Sequence, residues 1–512
     1  MKHSERAFVI PALALAMGLC ACASAEGNWM TETQNKMEED ATVNYAPKVR
    51  TLANGVQVQR VPGGSDSVNT GSYYGNIFFD RDGFNNKYLD ADNRGCGACH
   101  TDLATTASTM KGYPHLQFVS NTKGLEIDMN VGQCIICHDY AGGSTDPIGF
   151  GYTMHSIHTK SQAFTALGGN CWSCHFATED GKGMQLWDEV KYEHLRGITS
   201  IAAEDVKGEF TWDQTTVVDD ASAVYDVQWY FDEGGARRMG TVMEGLTPDP
   251  EQDGIYDQWT MKIDGAVENP IEMTLTELIE TFGLEKTTLT THCGDNMICG
   301  PWIANVEIEG INLKTILEYV GADPNAQNVA SVAQDGNRYN CAMSQVNGEG
   351  AYIVLRMCGE PLPYRMGYPA AIWVGGSPAW VNNKEINELT IEMDPVSIWP
   401  SGLPTAEGIS YYKPNVGLTH LADGQIIDAS QPYTFEGYAH AWEDPITSVE
   451  FSFDQGETWI PCETIGARSA NWVYWHYTWD VPAAGSYVIS VRATDVSGAV
   501  TYKPLKYLVN AK

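Results

Sequence analysis

Basic residues are scarce in this chain. Lysine and arginine number 31 against 65 aspartates and glutamates in 512 residues, a formal charge of −34. Nucleic acid and anionic membrane surfaces are bound by basic faces, so this balance excludes both as principal partners. It favours cationic partners or small molecules. Long apolar runs are missing too: beyond the N-terminal segment, no stretch approaches the roughly 18 to 20 apolar residues that a membrane helix needs. No repeat is visible except one short cysteine motif. Apolar residues as such are not in short supply. At 43% hydrophobic and 11% aromatic, the composition excludes a disordered or collagen-like chain. The length allows three to four domains of about 150 residues.

The N-terminus reads as an address. Lys2 and Arg6 precede an apolar run from Ala7 to Leu19, too short for a bilayer but suited to a signal-peptide core. Two maturation routes are open. Ala23-Ser24-Ala25 offers an A-x-A cleavage site, whereas Leu19-Cys20-Ala21-Cys22 resembles a bacterial lipobox and would leave Cys22 carrying lipid. Either route leads to the periplasm or the outer face of the cell membrane, where thiols can oxidise.

After this leader (1–25) the composition changes four times. Residues 26–90 are polar, and 91–195 hold six of the thirteen cysteines between Gly-rich joints. An acidic connecting region follows at 196–254. From 255 to 395, short strands alternate with helix-like stretches such as Leu275 to Phe282 and Leu313 to Val320, which predicts an α+β domain. From 415 to 512, β-branched and aromatic runs broken by Gly, Pro and Asp turns predict an all-β sandwich. Its tryptophans Trp472, Trp475 and Trp479 are expected in the sandwich core or at an interface rather than on a substrate platform.

Three C-x-x-C-H motifs dominate the second zone: Cys96, Cys99 and His100; Cys134, Cys137 and His138; Cys171, Cys174 and His175. Two thiols at this spacing add across the vinyl groups of haem, and the adjacent imidazole becomes the proximal iron ligand. A zinc ribbon would not demand a histidine after each pair. The segment resembles small multihaem c-type cytochromes of bacteria, which implies three covalently bound c-type haems in a loop-rich fold. Each iron then needs a distal ligand, and His115, His155 and His158 are the candidates. Met110, Met129 or Met154 in such a place would raise that haem's potential. Three haems within so short a segment are expected to touch and form a wire.

Setting aside the leader and the haem motifs leaves Cys293, Cys299, Cys341, Cys358 and Cys462, an odd set. The stretch around the first of these, Thr287-Thr-Leu-Thr-Thr-His-Cys293-Gly-Asp-Asn296, resembles the molybdenum-binding loop of the sulfite oxidase family of molybdopterin enzymes. So do Trp259 to Gly265 with Met273 to Leu278, Val306 to Leu313, and Arg356 to Pro363 with Gly367-Tyr-Pro369. Phe435 to Ala439, Val449 to Trp459 and Val491 to Gly498 resemble the family's C-terminal immunoglobulin-like module, often a dimer contact. The resemblance spans about 255–508. It implies molybdopterin, with Cys293 as the catalytic thiolate on molybdenum and His292, Asn296 and Lys384 lining the cofactor pocket. Asp295 would shape the same site.

The chain departs from the family at several points. Ala371 stands where an arginine is expected, Cys358 replaces an asparagine, Lys384-Glu385 replaces Lys-Trp, and an upstream Arg-x-His element is absent. A bidentate arginine clamp on an anionic substrate is thereby lost. A competing reading makes Cys293–Cys299 or Cys341–Cys358 disulfides of a domain without metal.

Two functions follow from these residues. One is an exported oxidoreductase that moves electrons between a molybdopterin site and external redox proteins, cationic or membrane-bound, through the three haems. The other is an electron-transfer cytochrome on a non-catalytic sulfite oxidase-like scaffold. Under the first, the haem at Cys171 is expected to serve the molybdenum side and the haem at Cys96 the outside partners. A homodimer through the C-terminal module is expected in both.

Overall fold

The computed structural model describes residues 149–164, 169–224, 248–395 and 412–512 apart from isolated positions that include Asp295 and Met297. It also describes short pieces at 49–51, 57–59 and between 95 and 135. The leader with Cys22, the candidate ligand His115, and Cys99, Cys137 and His138 of the haem motifs lie outside the described residues. The chain divides into two compact units.

The described part of the first unit comprises Gly95, Cys96 and most of 149–195. Helix Phe150–His158 precedes a hairpin of His175–Ala177 and Met184–Leu186, and helix Trp187–His194 follows. Phe176, Ala177, Trp187 and Val190 form a small apolar core, with Trp172 and Leu195 packed against it. The first and third cysteine motifs meet here. The Gly95 amide donates to the Ser173 carbonyl at 2.8 Å, and the Cys96 amide donates to Asp188 Oδ2 at 2.8 Å. Gly95 sits at φ +76 with the Asp188 carboxylate inside the space a Cβ would fill, so glycine is required there.

The second unit contains the α+β domain and the sandwich. Strands Arg338–Ala342, Asn328–Ala333, Ile386–Glu392, Thr260–Gly265 and Ile271–Thr274 lie in that order in one sheet, with Ile386–Glu392 parallel to Thr260–Gly265. Helices Leu275–Phe282 and Leu313–Val320 bury Leu275, Leu278, Leu313, Ile316, Leu317 and Val320 in the core shared with this sheet. Both helices match their sequence expectation because their ends are written locally. Thr274 and Glu277 make a reciprocal capping box, and Asn312 caps the second helix. Gly283 and Gly321, at φ 74 and 66, stop the two helices. A second sheet orders Glu360–Pro361, Ala351–Met357, Ile303–Asn312 and Glu285–His292, with Ala371–Val374 also paired to Ala351–Met357.

From residue 412 a seven-stranded and a four-stranded sheet enclose one core, in which Phe435, Trp475 and Trp479 of the smaller sheet meet Phe451, Tyr487 and Tyr507 of the larger. The smaller sheet is completed from outside the C-terminal segment. Strand Gly208–Asp213, from the acidic connecting region, pairs antiparallel with Val473–Trp479 over its whole length and packs Phe210 and Trp212 against the core. Strands Val49–Thr51 and Gln57–Gln59 extend the larger sheet through Gln425–Ile427. No helix among the described residues is long and apolar enough to cross a membrane.

Candidate functional site

Strand Glu285–His292 carries the cysteine loop and lies at the edge of its sheet, paired along its length with Ile303–Asn312. Period two divides its side chains. Leu289 packs with Ala304, Val306 and Ile308 in the domain interior. Thr290 points the other way, to Asn305 and the sandwich: Thr290 Oγ1 accepts the Trp472 amide at 2.7 Å, and the Thr290 amide donates to the Ala470 carbonyl at 2.8 Å. Asn471 Nδ2 donates to the Thr288 carbonyl at 2.7 Å. Segment 470–472 therefore clamps the strand that ends at the cysteine.

Cys293 continues this strand by donating its amide to the Trp302 carbonyl at 2.9 Å, and the loop closes with the Asn296 amide on the Cys293 carbonyl at 3.1 Å. Asn296 Oδ1 accepts the Trp302 amide at 2.9 Å, and the Asn296 carbonyl accepts from Asn415 Nδ2 at 2.9 Å. Gly294 lets the indole approach: a Cβ there would lie 1.4 Å from the Trp380 ring, so the ring occupies the space a side chain would need. Trp380 in turn meets Trp442 at 6.0 Å. Neither tryptophan stood out in the sequence; the glycine after Cys293 was the available signal.

Alternation sets His292 on the face opposite Cys293. Its ring packs in the seam against Trp442 at 4.5 Å and His440 at 4.9 Å, both from the sandwich. His292 Nδ1 lies 3.2 Å from the Cys293 carbonyl and so carries the proton, while His440 Nε2 donates to the Ser469 carbonyl at 3.2 Å. Burial pushes the His292 imidazole down to about 4 and holds His440 well below the usual range. Unfolded, both take a proton near 6.5; folded, they resist it. Stability is thus fully present above about pH 6.5 and is lost as pH falls toward 4, by up to about 1.4 kcal/mol per pH unit for each histidine. Urea midpoints between pH 7 and pH 4.5 should fall accordingly, and His440→Gln should flatten the slope. A flat profile in the parent chain would contradict this reading of the seam.

Lys384 is buried in segment 381–386, soon after Trp380, and its Nζ donates to the Arg365 carbonyl at 2.7 Å. Gly367, at φ +101, leaves 2.6 Å between a notional Cβ and that of Lys384, so the Gly-x-Pro turn and the lysine are fixed against each other. Ala371 is fully buried among Val354, Met366 and Trp373, with no room for an arginine.

The disulfide reading of the remaining cysteines fails. Cys341 lies in the core of the first sheet and Cys358 beside Val218 near the core of the second, both as thiols. Burial pushes them up to about 12 and about 11, and Cys462 to about 12. Cys299 is buried in the sandwich core, with Sγ 3.3 Å from the Tyr507 hydroxyl. Cys293 and Cys358 are both half-buried outside the strands, but only Cys293 lies on the loop that carries Asn296 and Trp302. On the cysteine's own loop, Asn296 Nδ2 and Trp302 Nε1 are buried and reach no hydrogen-bond partner within the protein. An unmet buried polar atom costs about 1–3 kcal/mol, so two of them on this loop fit a polar cofactor rich in nitrogen and oxygen. Among the described residues no three His, Cys, Asp or Glu side chains gather into a group that could hold a metal ion.

Residues 246–399 match the family described as "Oxidoreductase molybdopterin binding domain". The NADH nitrate reductase of Ulva prolifera is 24% identical over 42% of this chain and 31% of its own length, and that of Petunia hybrida 21% over 48% and 34%. The chain thus spans about a third of the curated relatives it matches. In structure, the sulfane dehydrogenase SoxCD from Paracoccus pantotrophus is similar over 48% of this chain and 69% of that one, at 22% identity and a TM-score of 0.40. Residues 246–399 form a molybdopterin-binding oxidoreductase domain.

Proposed function

We propose that this chain is an exported oxidoreductase, in which a molybdopterin site around Cys293 exchanges electrons with external redox proteins through three c-type haems. The observation that carries the reading is the half-buried Cys293, on a loop of the molybdopterin domain and flanked by unmet buried polar atoms. Cys293 would ligate the metal, Asn296 and Trp302 would donate to the cofactor, and Lys384 would supply positive charge near its phosphate. His292 would brace the loop from behind through the Cys293 carbonyl. When bound, the group supplies two-electron chemistry, whereas haems carry single electrons, so joining them on one chain matches the two. The fully buried Ala371 supports a substrate other than one clamped by arginines.

The haem part rests on the three motifs and on local geometry in the first unit. His175 Nδ1 lies 3.3 Å from the Gln185 carbonyl, the partner that leaves Nε2 for iron. His158 Nδ1 is likewise 2.9 Å from the Met154 carbonyl. The C-terminal sandwich would serve as an immunoglobulin-like dimer contact, and the mature protein would lie in the periplasm or on the outer face of the membrane, free or anchored at Cys22. Metal analysis of protein matured in an exporting host tests the whole: one molybdenum and three iron atoms per chain are expected. Iron without molybdenum would leave the cytochrome-on-scaffold reading in its place.

A further inference from the structure

Two histidines of the first unit face each other. His155, on helix Phe150–His158, and His175, which closes the third cysteine motif, have ring centroids 5.8 Å apart with planes inclined at 48°. An ion held between two imidazole nitrogens at about 2 Å each spaces the ring centroids by roughly 6 Å. Coaxial rings are free to turn about the metal–nitrogen line, so the observed inclination is compatible with that arrangement. His175 is oriented for it, since its Nδ1 is taken by the Gln185 carbonyl. His155 lies on the exposed side of its helix, where its ring is not enclosed by the protein core. His158, one turn further on, instead meets Phe164 edge-on at 5.3 Å.

We infer that His155 is the sixth ligand of the haem attached at Cys171 and Cys174, opposite His175, and that His158 serves a different iron. This rests on the reading that the cysteine motifs carry haem. The pairing makes the third haem six-coordinate and low-spin, closed to external ligands and suited to electron transfer. It also ties helix Phe150–His158 to the hairpin of His175–Ala177 and Met184–Leu186 through the iron, a crosslink between two elements of a unit whose described apolar core is small.

The test uses the full chain matured with its haems. His155→Ala should keep three covalent haems by intact mass, while electron paramagnetic resonance shows one of the three irons turned high-spin. In a Cys171→Ser, Cys174→Ser chain, which carries two haems, adding His155→Ala should change nothing, whereas His158→Ala should still convert one iron. A high-spin signal from His155→Ala in the two-haem chain, or three low-spin irons in the single variant, would overturn the assignment. If the two-haem chain does not mature, His155→Met in the intact protein should raise one of three reduction potentials and leave the haem count unchanged; unmoved potentials would overturn it as well. A wild-type chain without covalent haem would instead defeat the reading beneath it.

Discussion

Replacing Cys293 with alanine is expected to abolish molybdenum-dependent turnover and leave the fold intact. The side chain is half-buried on a loop, so its loss opens no core cavity, and stability should move by no more than about 0.5 kcal/mol. The hydrogen bonds that shape the loop, from Cys293 to Trp302 and from Asn296 to Cys293, run through backbone atoms and survive the substitution. On the proposed function, haem spectra should be unchanged, because the thiols proposed to bind haem belong to other motifs. Assays of metal content and turnover on the same preparation decide the matter. Full turnover in the alanine variant would remove Cys293 from the metal.

A chain truncated to 255–512, the boundaries that the α+β and β segments first imply, is expected to aggregate, whereas 197–512 should be monodisperse. Strand Gly208–Asp213 covers the edge of Val473–Trp479 and shields a core that holds Trp475 and Trp479. Without it, a seven-residue edge with unpaired amides and carbonyls faces solvent beside exposed apolar surface, a template for association. Residues before that strand add further ties: the Thr199 amide donates to the Ser486 carbonyl at 2.7 Å, the Ile201 amide to Phe453 at 3.0 Å, and the Ala203 amide to Thr458 Oγ1 at 2.8 Å. Size-exclusion profiles of the two truncated chains give the answer, and equal behaviour would show that the strand is dispensable.

What could be read in advance follows from the range of the forces involved. Leu275–Phe282 and Leu313–Val320 were legible because caps, apolar spacing and stop glycines are local. Gly208–Asp213 was hidden by its acidic surroundings, although Phe210 and Trp212 alternate with Glu209 and Thr211 in a strand period. The face on which His292 lies was also available from alternation along Glu285–His292. Its neighbours His440 and Trp442 were not, because they come from a distant strand and the turn after it. The proposed pairing of Cys341 with Cys358 failed for the same reason: sequence shows that both exist, but not that two separate cores claim them.

The hydrogen bond from Gly95 to Ser173, with Cys96 on Asp188, bears on how such a chain is made. Its donors precede the first motif's second thiol, and its acceptors lie within and after the third motif. A chain emerging N-terminus first therefore exposes Cys96 long before its acceptors arrive. Whatever modifies the first motif during synthesis meets it on an open polypeptide, before Ser173 and Asp188 can take up these two amides. By the same reasoning, a fragment that ends after the second motif leaves the Gly95 and Cys96 amides without both of these acceptors. Loss or gain of the first or third motif by recombination is thus constrained by a contact that joins the two.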